Sequence, residues 1–237
     1  MHAGYLYGLH SAPVHAMFAA GMNRFIRILA TAWAGLLMTA GAASAHPHVW
    51  IVMKSTVVYG PDGAMTGVRH SWTFDDMYSA FAVQGLEQKK KGEFTAEELK
   101  PLAQVNVESL KEYDFFTYAK ANGKDVTFVD PVDYHLDFDP KESVLTLHFL
   151  LPLKTPLKAK SVVLEVFDPS YFVDFALAEK DAVNLEKAPA GCELRLDKPQ
   201  EMTKEMAQKL AESPPDQQIP DNSYGAAFSN KISVKCP

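Results

Sequence analysis

Apolar residues recur every second position over most of residues 49–196, and one long stretch within them departs from that period. Val49 to Tyr59 is rich in Val, Ile and Thr and ends at Gly60-Pro61-Asp62-Gly63, a strong turn signal. In the following segment, Ala64 to Phe74, Val68, His70, Trp72 and Phe74 fall on one side, Arg69, Ser71 and Thr73 on the other. The two segments predict a β-hairpin with one buried face. Between residues 75 and 121 the spacing turns helical. Asp75–Gln88 and Thr95–Ala121 are expected as helices, with Leu99, Leu102, Val105, Val107, Leu110 and Phe115 at helical intervals. Thr95 followed by Glu98 is a capping-box pattern for the second helix.

From Val126 the period returns to two. Strands are expected over Val126–Val129, Val132–Phe138, Val144–Leu151, Val162–Phe167 and Tyr171–Leu177. Shorter ones are expected near Val183–Leu185, Cys192–Leu196 and Lys231–Val234. Gln200–Ala211 reads as an amphipathic helix and Ser213–Tyr224 as a loop. The fold class that follows is mainly β, an antiparallel β-sandwich-like body with a helical insertion at about 75–121, α+β overall.

The N-terminus changes the picture. From Met22, Arg24 and Arg27 precede an apolar run from Ile28 to Thr39, which closes at Ala43-x-Ala45, a pattern that signal peptidase accepts. Residues 1–45 are therefore expected to be an upstream extension and signal peptide, with 46–237 as a single periplasmic domain. Cleavage would leave His46 as the first residue of His46-Pro47-His48-Val49-Trp50. A free amine and two imidazoles are nitrogen donors suited to Cu, Ni, Zn or Co. Residues two apart on an extended chain share a face, so His46 and His48 can converge. Pro47 has no N–H, which excludes the square-planar motif that uses deprotonated backbone amides. The arrangement resembles the histidine brace of secreted copper proteins.

Charge narrows the partners. The chain carries a formal charge of −6, and the part after residue 45 is two units more negative, because Arg24 and Arg27 precede it and no acid does. That balance argues against nucleic acid. Cys192 and Cys236 both lie in the exported part, where a disulfide is the expected state.

Among the remaining histidines, His70 shares a face with Trp72 and Phe74 and reads as a core residue, while His148 lies opposite the leucines of its strand and reads as solvent-facing. His135 is flanked on one strand face by Asp133, Asp137 and Asp139. It is a candidate, with Asp133, to join His46 and His48 at a metal. Glu87–Glu98 has the skeleton of an EF-hand loop, but Lys89 and Lys91 stand where oxygen ligands belong, so no calcium is expected. No nucleophile elbow, phosphate loop, zinc-protease or dinucleotide motif occurs, and no catalytic residue is assigned.

Three segments together carry a resemblance: His46-Pro47-His48-Val49-Trp50-Ile51, Trp72-Thr73-Phe74-Asp75, and Phe167-Asp168-Pro169-Ser170-Tyr171-Phe172. The chain resembles the domain of unknown function 1007 family, secreted bacterial proteins labelled as a periplasmic component of an uncharacterised ABC-type transport system. The resemblance implies an association with nickel/cobalt-type transporters and no established enzymatic activity. The expectation is a periplasmic accessory protein that binds a divalent transition metal (Ni, Co, Zn or Cu) for an inner-membrane metal transporter. A copper-dependent oxidase or monooxygenase built on the same brace, and a metal-free β-rich interaction module, are the alternatives.

Overall fold

Two sheets carry the alternating pattern. The computed structural model describes residues 47–197, 199–206, 208 and 223–237. The leader, His46, the end of the expected 200–211 helix and nearly all of the expected 213–224 loop lie outside the described residues. Ser44–Pro237 forms a compact unit.

The strands are β1 (Val49–Tyr59), β2 (Met65–Phe74), β3 (Thr117–Ala121), β4 (Lys124–Asp125), β5 (Val132–Asp139), β6 (Val144–Leu157), β7 (Ser161–Val166), β8 (Val173–Leu177), β9 (Val183–Glu186), β10 (Glu193–Asp197) and β11 (Asn230–Lys235). The helices are α1 (Asp76–Ala82), α2 (Ala96–Leu110) and the short α3 (Ser223–Ala227), with a 3-10 segment over Lys111–Phe116. One sheet runs β5-β6-β2-β1-β8, with β9 also on β1; the other runs β10-β11-β7-β3-β4. The body is mainly β, as the periodicity implied. Its pairings are antiparallel except those of β8 and β9 with β1, which are parallel.

The core has two parts. At one end the sheets face each other, with Val57, Met65 and Val68 packed in one cluster with Leu164, Ile232 and Val234. At the other end α2 covers the first sheet, burying Leu99, Ala103 and Val107 in a cluster with Trp72, Leu147 and Phe149. His70 lies within β2 and is fully buried, its ring between Ser55 Oγ (3.0 Å) and Thr117 Oγ1 (3.4 Å).

Local signals behave as expected at the helix starts. Thr95 and Glu98 form a reciprocal capping box on α2. Asp75 caps α1 through Tyr78 N–H (2.8 Å) and also accepts from Trp50 N–H (2.9 Å), which ties α1 to the start of β1. The Glu87–Glu98 loop is closed by protein groups: Glu98 accepts from Lys89 N–H and from Thr95, and Lys90 pairs with Glu93.

Three expectations need correction. The second helix ends at Leu110, and Thr117–Ala121 is a strand, since Thr117, Ala119 and Ala121 bury alternately while the segment pairs with β7. The turn between them holds Asp114, Phe115 and Phe116 at φ of 49°, 55° and 47°. Left-handed backbone costs an L-residue about 1–2 kcal/mol, so the burial of both phenylalanines holds the turn in place. Val126–Val129 makes only a bridge, Phe128 to Leu153, because it crosses between the sheets: Val126 N–H bonds to Ala119 O in one and Val129 N–H to Pro152 O in the other. The first helix is also short, ending at Ala82. Cys192 and Cys236 are joined in a disulfide that flanks the β10–β11 pair.

Candidate metal centre

The outer face of the first sheet presents polar residues in cross-strand rows. Lys54 on β1 pairs with Ser71 on β2, Ser71 with His148 on β6, and His148 with His135 on β5. Successive side chains on a strand alternate faces, so Leu147 and Phe149 go to the core and His148 between them goes out. The two imidazoles stack at 4.7 Å between centroids, 11° from parallel.

Asp137, two residues along β5, shares this face. Its Oδ2 lies 3.3 Å from His148 Nε2 and 3.7 Å from His135 Nε2. One ligand atom from each of the three residues falls within 4.8 Å of the others. Donors held about 2.0–2.1 Å from a tetrahedral ion stand roughly 3.3 Å apart, so both His–Asp spacings are near what one ion requires. Two imidazole nitrogens and one carboxylate oxygen make a donor set for borderline divalent metals.

His148 is the best positioned of the three. Ser71 Oγ lies 2.9 Å from its Nδ1. When Nδ1–H donates to that hydroxyl, Nε2 is left as a lone pair on the Asp137 side, which is the tautomer an ion needs. Burial holds the His148 imidazole below the usual histidine range; the neighbouring His135 adds to this and Asp137 opposes it. His148 is therefore neutral at pH 7. Its side chain is 30% exposed, against 54% for His135 and 62% for Asp137, so the centre opens to solvent.

The residues named from sequence do not all meet here. His135 does. Asp133 does not join the cluster: it sits at φ 50° in a bulge between Val132 and His135, and the extra residue breaks the alternation that would have put it on the same face. His48 lies elsewhere. It is exposed, its ring stacks on Phe172 at 4.7 Å, and its N–H donates to Phe172 O. Six residues and three strands separate it from His135, more than about 20 Å at ordinary strand spacings. The sequence does not single out Asp137 or His148 as candidate ligands. The signals are present, a shared face for Asp137 and an outward position for His148, but the strand pattern does not give the register that sets His148 opposite His135.

Asp168, in the segment Phe167–Phe172, serves its own turn. Its Oδ1 accepts from Ser170 N–H and Oγ–H (2.8 Å each) and its Oδ2 from Val173 N–H (3.0 Å).

A family model described as "Protein of unknown function (DUF1007)" matches residues 31–236. The chain belongs to this family. The matched DUF1007 span includes the His46–His48 segment and the whole of the β5–β6 pair. An "Uncharacterized protein" of Haemophilus influenzae is 28% identical over 207 residues, covering 85% of this chain and 96% of that protein. Among the described residues no helix is long and apolar enough to cross a membrane.

Proposed function

We propose that this DUF1007 protein is a periplasmic, transition-metal-binding accessory protein linked to metal-ion transport. One observation carries the reading: His135, Asp137 and His148 hold one donor atom each within 4.8 Å. The donor set suits Ni, Co, Zn or Cu and is poor for calcium, which prefers six to eight oxygens. Three protein donors on an open face leave coordination positions free, as delivery to a second protein requires. An inner-membrane metal transporter is that partner. The Ala43-x-Ala45 pattern and the Cys192–Cys236 disulfide support export to an oxidising compartment.

Calorimetric titration of the purified mature protein, beginning at His46, with Ni, Co, Zn and Cu tests the proposal. The expected result is one ion per chain, with affinity falling at least tenfold in His148→Ala and in Asp137→Asn. Unchanged binding in both variants and in His135→Ala overturns this centre.

A second reading keeps the ion at the processed N-terminus, on the amine, His46 and His48. The exposure of His48 at the start of β1 favours it. Loss of binding in His48→Ala with full binding in His148→Ala would select it. No binding of any of the four ions would leave a metal-free β-rich module.

A further inference from the structure

On the opposite side of the same sheet lies a cavity of about 550 Å³, under helix α2. Leu147 is on its wall, while His148, the next residue, faces outward to the metal centre, so the sheet separates the two places. Protein cores pack densely, with few voids larger than a water molecule. A space of this volume falls instead in the range of small-molecule sites.

Its walls are aromatic. Trp72 and Phe74 contribute from β2, Tyr78 from α1, Tyr113 and Phe116 from the 3-10 segment, and Phe172 from the loop before β8. The wall made by Tyr113 and Phe116 exists because the three left-handed residues Asp114, Phe115 and Phe116 turn the chain there, and the two rings stack at 5.2 Å. Backbone held in such a costly conformation collects at ligand clamps and switch regions. Tyr113 and Phe172 remain partly exposed.

The polar groups on the wall define the ligand's charge. Tyr78 Oη–H donates to Asn106 Oδ1 and Asn106 Nδ2–H to Leu102 O. Among the described residues Asp168 is the one carboxylate on the wall, and no Lys, Arg or His lines it. An anion entering here would meet a carboxylate, electron-rich ring faces and no compensating cation.

We propose that this cavity binds a small apolar molecule that carries no negative charge. The site is independent of the metal centre, so either can fail without the other.

The test is a fluorescence titration of the purified full chain with the neutral probe N-phenyl-1-naphthylamine and with its sulfonated, anionic counterpart 8-anilinonaphthalene-1-sulfonate. The neutral probe should bind saturably, one per chain, with the anionic probe at least about tenfold weaker. Val173→Phe and Leu110→Phe add bulk from opposite walls. Each should weaken the neutral probe at least about tenfold, with circular dichroism and melting temperature reporting that the fold is kept; two positions guard against one variant misfolding. Absence of saturable binding, equal affinity for the two probes, or unaltered binding in both folded variants overturns the proposal.

Discussion

His135 stands directly opposite His148 across the β5–β6 pair, and β5 carries one extra residue just before it. Val132 pairs with Leu150 and His135 with His148, three steps on one strand against two on the other. The extra residue lies on the far side of the imidazole pair from the β5–β6 turn, while His135 to Asp139 pair without a break with His148 to Val144 back to that turn. Asp133, at φ 50°, lies in the bulge, and Asp is among the few residues that accept this backbone at low cost.

Asp133 therefore acts through backbone conformation. Asp133→Gly should keep metal affinity within about threefold of the parent. Asp133→Val, a β-branched residue at positive φ, should cost about 1–2 kcal/mol of stability and disturb the site. Calorimetry on both variants decides: a loss in Asp133→Gly as large as in Asp137→Asn would make Asp133 a ligand after all.

Ser71 orients His148. Removing its hydroxyl frees the ring and the tautomer, and such supporting contacts are commonly worth 10–100-fold in metal affinity. Ser71→Ala should weaken the ion by about tenfold while leaving the urea midpoint nearly unchanged. Equal affinity in the variant would detach Ser71 from the site.

His70 makes stability depend on pH. Burial lowers its pKa from 6.5 to about 3, with Ser55, Thr117, Trp72 and Phe149 around it and no ionisable neighbour among these contacts. Between those two values the unfolded chain takes up the proton and the folded one does not. The contribution from His70 is thus complete above about pH 6.5 and is lost toward pH 3, at up to about 1.4 kcal/mol per pH unit. Urea unfolding at pH 7 and pH 5 should show the drop. It should be smaller in a folded His70→Gln protein.

Gly225 has no room for a side chain. A Cβ there would sit 2.0 Å from the Asp168 carbonyl oxygen, backbone that has little freedom to retreat because the Asp168 side chain is bonded three times within its turn. Gly225→Ala should destabilise by about 1–3 kcal/mol, read as a lowered melting temperature. An unchanged melting temperature would contradict this packing.

The disulfide spans a sequence separation of 44 residues and anchors the β10–β11 edge of the second sheet. Its loss in a Cys192→Ser, Cys236→Ser double variant should cost up to about 4 kcal/mol. Metal affinity should stay, since the candidate centre lies on the other sheet. A parallel loss of both would show that the sheets are coupled.

Sequence alone determined everything whose cause is local. The inward set Val68, His70, Trp72 and Phe74, the outward set Arg69, Ser71 and Thr73, the Thr95–Glu98 cap and the outward position of His148 follow from the two-residue period and from side chains reaching their own backbone. So does the grouping of His135 with Asp137. Tertiary structure decided what distant segments do to one another. It made Thr117–Ala121 a strand because β7 offered hydrogen bonds, sent Val126–Val129 from one sheet to the other, and set His48 far from His135. The candidate centre lies between the two kinds: β5 and β6 are consecutive strands joined by a short turn, but their register is decided by the pairing itself. Alternation fixes which face a side chain takes, but a single inserted residue shifts the cross-strand partners beyond it by one, and only the paired strands reveal it.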